Sequence, residues 1–182
     1  SLGRLGVEAT LGTEPSRIEQ APFVVLPGVG TFGAAMNRLS ELKLTAPLKQ
    51  RLMQGKPTLC VCVGFQVLFE RSEESPGIAG LGWLKGPIKR FSTTVRVPQF
   101  GWNYLRAQPE CRLLKDDYVY FANSYYADDV PETCARAQAE HGVTFVAGLE
   151  QGAILGCQFH PELSSNAGLA LLTRWLGEGQ EA

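Results

Sequence analysis

The first half of the chain is built from short apolar runs separated by stretches with helical spacing. Phe23-Val24-Val25-Leu26 is wholly apolar and is stopped by Pro27-Gly28-Val29-Gly30. That pattern predicts a buried parallel strand ending in a tight loop. A helix follows over Ala34 to Leu42. A second covers about Ala46 to Gln54, with Leu48 and Leu52 inward and Gly55 as its C-terminal stop. Thr58 to Cys62 is the next buried strand, and Val63 to Phe69 begins the helix after it. Strand, helix, strand, helix in this order predicts an α/β fold around an open, mostly parallel sheet flanked by helices.

The second half changes character. Residues 86–106 and 118–126 carry short β-rich runs, an antiparallel extension of the sheet. Val143 to Glu150 and Ala153 to Phe159 form a hairpin around Gln151-Gly152, because a short loop with glycine joins two β-prone runs. Ser164 and Ser165 cap a closing helix from about Asn166 to Leu176, with Leu169, Leu172 and Leu176 on one face. With no repeat, low-complexity tract or linker, residues 1–182 read as one domain.

Composition narrows the function classes. Hydrophobic residues are 45% of the 182 and charged residues 19%, enough for an ordinary core. A formal net charge of -1 gives no electrostatic reason to expect nucleic acid or an anionic membrane surface. No apolar run approaches the roughly 20 residues that span a bilayer. The start, Ser1-Leu2-Gly3-Arg4, lacks the pattern of a signal peptide. Five cysteines without regular spacing argue against a disulfide scaffold and for a reducing compartment, so a cytoplasmic location is expected.

Candidate chemistry centres on Leu59-Cys60-Val61-Cys62-Val63-Gly64-Phe65-Gln66. An apolar strand meets a cysteine, a glycine and then helix formers, which is how a nucleophile is placed on a sharp strand-to-helix turn. Gly64 supplies the small residue such a turn needs two positions after Cys62, and the helix start just beyond favours a thiolate. Cys60 is the rival nucleophile, but the position two residues after it is Cys62 and the helix begins too late for it. A metal site at Cys60 and Cys62 lacks a second close pair to complete it. Of the two histidines, His141 lies in a polar turn, whereas His160 follows an apolar strand in Cys157-Gln158-Phe159-His160-Pro161-Glu162. Pro161 biases His160 to an extended conformation, and Glu162 is placed to orient the imidazole. In Pro27-Gly28-Val29-Gly30, Gly28 and Gly30 leave the Val29 amide free to face a cleft. The Val29 and Val63 amides are therefore the candidate oxyanion donors.

These residues carry a family resemblance. Cys62-Val63-Gly64-Phe65-Gln66 and Gln158-Phe159-His160-Pro161-Glu162, with Lys56-Pro57, resemble the class I glutamine amidotransferases. Leu26-Pro27-Gly28-Val29-Gly30-Thr31-Phe32, Val97 to Asn103, Phe121 to Tyr126 and Ser72-Glu73-Glu74 are similar to the glutaminase subunits of imidazole glycerol phosphate synthase. The resemblance implies a flavodoxin-like α/β fold without cofactor or metal. It implies attack by Cys62 on the glutamine side-chain amide, with His160 and Glu162 assisting. By their place in the motifs, Gln66 and Glu74 would hold the amino-acid end of glutamine, and Ser124 and Tyr125 would line the pocket. It also implies a heterodimer with a (β/α)₈-barrel cyclase subunit, which receives the ammonia and activates the glutaminase, with Pro98 to Trp102 at the interface.

Two departures stand out. The family has glycine where this chain has Cys60, a side chain that would crowd the elbow. The family also begins with a strand and a helix of which Ser1 to Gly6 resembles only the helix end, so the first strand of the sheet is expected to be missing. Three alternatives stay open: the amidotransferase subunit of anthranilate or aminodeoxychorismate synthesis, a catalytically silent partner-binding scaffold, and a free-standing cysteine hydrolase.

Overall fold

The computed structural model describes residues 2–178. A 3₁₀ turn (Leu2–Leu5) and α1 (Pro15–Gln20) lead into β1 (Val24–Leu26), α2 (Phe32–Glu41), α3 (Thr45–Met53) and β2 (Thr58–Val61). The short α4 (Val63–Gln66) follows, then β3 (Phe69–Ser72), β4 (Leu84–Arg90), β5 (Gln99–Ala107) and β6 (Asp117–Asn123). After β7 (Tyr125–Ala127) come β8 (Ala135–Glu140), β9 (Thr144–Gln151), β10 (Ile154–Cys157), a 3₁₀ turn (Pro161–Leu163) and α5 (Ser165–Glu178).

The strands form one mixed sheet of order β1-β2-β10-β9-β7-β4-β3, with β5, β6 and β8 joined beside this path. The parallel part is β1, β2 and β10: Leu26 and Gly156 both stand in register with Cys60. β3 and β4 are also parallel, and the remaining pairs are antiparallel. The α/β class is as the sequence predicts, with a larger antiparallel share than its β-rich runs reveal.

Burial follows position in the sheet. Every residue of β2 and β10 is buried, because each has a strand on both sides. β1 is buried at Val24 alone, since among the described residues its one strand partner is β2. Ahead of it, residues 7–14 hold no regular element, so the outer edge of β1 carries no strand among the described residues. α5 turns Gly168, Leu171, Leu172 and Trp175 into the core. The inward face is thus displaced from the predicted Leu169–Leu172–Leu176 row. Trp175 packs edge-on against Phe23 at 5.2 Å and donates its indole N–H to the Ala153 carbonyl at 2.9 Å. Burying a side chain of this kind stabilises by about 1.5–3 kcal/mol or more.

Two predicted elements shift. The helix expected over Val63 to Phe69 ends at Gln66, and Phe69 already belongs to β3. The carbonyls of Val67 and Leu68 accept from Leu81 N at 2.7 Å and Leu84 N at 2.9 Å, which draws the chain off the helix and into the β3–β4 pair. The β9–β10 loop is Gly152-Ala153, one residue later than predicted, with Gly152 at φ +58° in the left-handed position the turn needs. No described helix is long and apolar enough to cross a membrane.

Arg51 ties the early elements together. Its buried guanidinium donates to the Thr58 hydroxyl and to the carbonyls of Ile18, Ala21, Pro22 and Pro57 at 2.7–3.1 Å. A single side chain on α3 thus fastens the segment entering β1 to the segment entering β2.

Candidate active site

β2 ends at Val61, and the chain turns sharply at Cys62, whose backbone has φ +53° and ψ -111°. A non-glycine residue there costs on the order of 1–3 kcal/mol. The turn is held by Cys62 N donating to the Cys157 carbonyl at 2.7 Å, and by the Cys62 carbonyl accepting from Phe65 N and Gln66 N at 3.0 Å each. Gly64 is obligatory, because a Cβ on it would lie 2.1 Å from the Leu26 carbonyl oxygen. The elbow forms with Cys60 in place of glycine. Cys60 is fully buried in β2, in register with Gly156 of β10. Burial pushes the Cys60 thiol up to about 12. Because α4 spans four residues, its dipole contributes less to a thiolate at Cys62 than the longer predicted helix would.

β10 leads to His160, whose backbone is extended (φ -102°, ψ 99°) ahead of Pro161. Its Nδ1 lies 2.7 Å from Glu162 Oε1. The imidazole is pushed up to about 10, first by its hydrogen-bonding contact with Cys62 and then by that with Glu162, against the opposing effect of burial. Burial raises the Glu162 carboxyl, but hydrogen bonds from His160 and from backbone, together with the imidazole's charge, outweigh it and leave the group lowered. The site therefore favours an imidazolium between two electron-rich neighbours.

One pocket collects most of the remaining candidates. Cys62, Val63, Gln66, Glu74, Ser124, Tyr125 and His160 line it, with Gly28, Val29 and Gly30 along one wall. Glu162 stands behind His160, on an adjoining groove shared with Pro27, Gly28 and Val29. Neither the Val29 nor the Val63 amide donates a hydrogen bond among the described residues, so both are available to a ligand. The Val29 side chain is 90% exposed and leaves the pocket to its backbone. Buried Gln66 donates from Nε2 to the Tyr125 carbonyl at 3.1 Å and to Gln158 Oε1 at 2.9 Å. Glu74 is half-buried, and its Oε2 accepts from Phe32 N at 2.7 Å, so it also caps the start of α2.

The structure also brings to the pocket residues to which the sequence reading gives no part in it. Phe100, Tyr120, Ala122, Asn123 and Leu163 line the pocket. They come from the β5–β6 hairpin and the turn after His160, whose approach to Cys62 depends on long-range pairing. Gln158 lies in the bend just after β10, two residues before His160, and its place beside Cys62 follows from that bend and not from a strand pattern. His141 sits in the β8–β9 turn with Nε2 2.7 Å from the Arg96 carbonyl oxygen, away from this pocket. All five cysteines are free and buried.

A cysteine on a strained elbow, a histidine bonded to a carboxylate and unengaged amides lining the same pocket bring together, on an α/β sheet, the groups that thiol acyl transfer uses. The chain belongs to the class-I glutamine amidotransferase family, whose model matches residues 6–176. Among curated relatives it is 39% identical over 179 residues to imidazole glycerol phosphate synthase subunit HisH of Oceanobacillus iheyensis, covering 96% of this chain and 89% of that one. It is 40% identical over 176 residues to the subunit of the same name from Methanothermobacter thermautotrophicus, covering 95% and 87%. For that of a Thermus thermophilus strain the figures are 41% over 172 residues, 94% and 86%. In fold, it matches a crystal structure of a glutamine amidotransferase with TM-score 0.77 at 21% identity, over 98% of this chain and 90% of that one.

Proposed function

We propose that this chain is the glutaminase subunit of an imidazole glycerol phosphate synthase. The reading is carried by Cys62 on its positive-φ elbow, facing the same pocket as His160, which Glu162 holds at 2.7 Å. The HisH names of relatives near 40% identity supply the pathway.

In this reading the Cys62 thiolate adds to the side-chain amide carbon of glutamine, and the oxyanion takes hydrogen bonds from the Val29 and Val63 amides. His160 gives its proton to the departing nitrogen, which leaves as ammonia, and a glutamyl thioester remains on Cys62. His160, now neutral, removes a proton from water. The hydroxyl adds to the thioester, glutamate departs, and the sulfur regains its starting state. Glu162 keeps the imidazole's charged form favourable throughout. Gln66 and Glu74 hold the amino-acid end of the substrate, where the Glu74 carboxylate suits its ammonium, and Ser124 and Tyr125 complete the wall.

The ammonia passes to a (β/α)₈-barrel cyclase subunit that makes imidazole glycerol phosphate. Phe100 and Trp102, 66% and 54% exposed on the β5–β6 hairpin, suit the centre of that interface. A cytoplasmic location accords with five free thiols. The test is glutamate release by the isolated chain and by the chain with cyclase subunit and its ribonucleotide ligand. Activity should be low alone and rise sharply in the complex. Cys62→Ala should abolish it and Cys60→Ala should not. Full activity of the isolated chain would instead assign a free-standing hydrolase.

A further inference from the structure

We infer that Gln158 is a positioning residue of this site, fixing the Cys62 sulfur and the Gln66 amide relative to each other. Gln158 is completely buried, so each of its polar atoms needs a partner. Its Oε1 accepts from Gln66 Nε2 at 2.9 Å. Its Nε2 has one hydrogen-bond partner among the described residues, the Cys62 sulfur at 3.8 Å. A structural filler at this position in the core would be apolar. An amide whose N–H group ends on the nucleophile needs another explanation.

The network has a direction. Gln66 Nε2 has two N–H groups, one for Gln158 Oε1 and one for the Tyr125 carbonyl at 3.1 Å. Turning the Gln66 amide over would set its oxygen against two other oxygens. Gln158 therefore fixes which end of Gln66 is left for a ligand. The same amide, through Nε2, gives the sulfur a neutral donor on the strand end that also delivers His160. Gln158 lies in the bend between β10 and His160, and Phe159 between them packs against Phe121.

This inference rests on the glutaminase reading for its kinetic consequence but not for its first measurement. Gln158 Nε2 is a donor to the sulfur whenever it is a thiolate, before it attacks and again as glutamate departs. Its loss therefore acts on kcat, and the loss of the Gln66 anchor acts on KM. In the chain complexed with its cyclase subunit, two variants separate these effects. Gln158→Met keeps the length and removes both hydrogen bonds. Gln158→Glu keeps the acceptor for Gln66 and removes the N–H to sulfur.

The rate of Cys62 alkylation by iodoacetamide at fixed neutral pH should fall about ten-fold in both variants, as expected for loss of a hydrogen bond to a charged group. For glutamine hydrolysis both should lower kcat, but only Gln158→Met should raise KM. Alkylation at the wild-type rate in a folded Gln158→Glu complex would overturn the inference. So would a uniform rise in KM with kcat unchanged in both. If alkylation slows in a complex that hydrolyses no glutamine, the positioning role stands and the glutaminase reading falls.

Discussion

Gly28 and Gly64 meet backbone to backbone: a Cβ on Gly28 would lie 2.1 Å from the Gly64 amide nitrogen and 2.6 Å from that of Val63. The loop after β1 and the elbow after β2 are therefore one packed unit. The Val29 and Val63 amides are neighbours because two glycines allow it. Gly28→Ala should destabilise the fold by about 1–3 kcal/mol, the usual cost of overpacking, and remove glutaminase activity even where the protein still folds. Thermal unfolding and glutamate release in the cyclase complex measure the two effects. Gly30→Ala tests a different constraint. Nothing lies within 4 Å of that position, but its φ of +93° strains any side chain, so activity should fall less.

Cys60 occupies the place where the family has glycine, yet its sulfur is part of the core and not of the pocket. Cys60→Gly should cost about 1–2 kcal/mol, from lost packing and a more flexible strand, and leave turnover intact. Chemical denaturation beside steady-state assays checks this. A large gain in turnover would mean that Cys60 does distort the elbow.

His160 links stability to alkaline pH. Its folded value is about 10, above the 6.5 of a free imidazole. The proton is thus bound more tightly in the native state. The resulting stability is complete below about 6.5 and is lost progressively as pH rises through 10. Cys62→Ala and Glu162→Gln each remove one of the groups that raise the imidazole. Urea midpoints measured from pH 6 to 10 should therefore decline less steeply in both variants than in the wild type. An equal slope in all three would contradict the assigned partners.

Among the described residues Arg51 is bonded to carbonyls and one hydroxyl and to no carboxylate, and burial lowers its guanidinium from the ordinary value. Arg51→Leu would leave the Ile18, Ala21 and Pro22 carbonyls without this donor, while Pro57 keeps the Val24 amide, and should cost about 3 kcal/mol or more. Arg51→Lys should recover little, because one ammonium cannot reproduce a planar fork with five donors. Denaturation midpoints rank the three proteins.

Trp102 is half-exposed and packs edge-on to Tyr120 at 6.0 Å. If the hairpin meets the cyclase subunit, Trp102→Ala should weaken the complex by at least about ten-fold, the range of an aromatic interface anchor, while the unfolding temperature of the isolated chain stays close to wild type. Titration calorimetry gives the affinity directly.

The part of the site that was legible in the sequence is the part written in local patterns. The apolar run into Cys62, the glycine after it and the proline after His160 each constrain their own few residues, and the structure sets Cys62 and His160 beside each other. Thr58–Val61 reads as buried because its Leu59-Cys60-Val61 run is apolar on both faces, as a strand flanked on both sides requires, and the Thr58 hydroxyl is satisfied by Arg51 and the Lys56 carbonyl. The length of α4 was not legible. It is decided by hydrogen bonds from Leu81 and Leu84, more than ten residues downstream. Nor was the role of Asn123, whose Nδ2 bonds to the Tyr125 carbonyl at 2.9 Å and which reaches the pocket through the β5–β6 pairing. Residue types announce chemistry only where neighbours in sequence are also neighbours in space.

Glu74 gives the pocket a property beyond its charge. One carboxylate oxygen is already bonded to the Phe32 amide, so the side chain is immobilised before any ligand arrives. The rotameric freedom a flexible glutamate would surrender on capture has gone into forming the helix instead. A ligand ammonium that meets this carboxylate finds a rigid receptor whose orientation is that of α2 itself. In the proposed role at the amino-acid end of the pocket, Glu74 would be as stiff as the helix, and it would soften whenever the first turn of α2 frays.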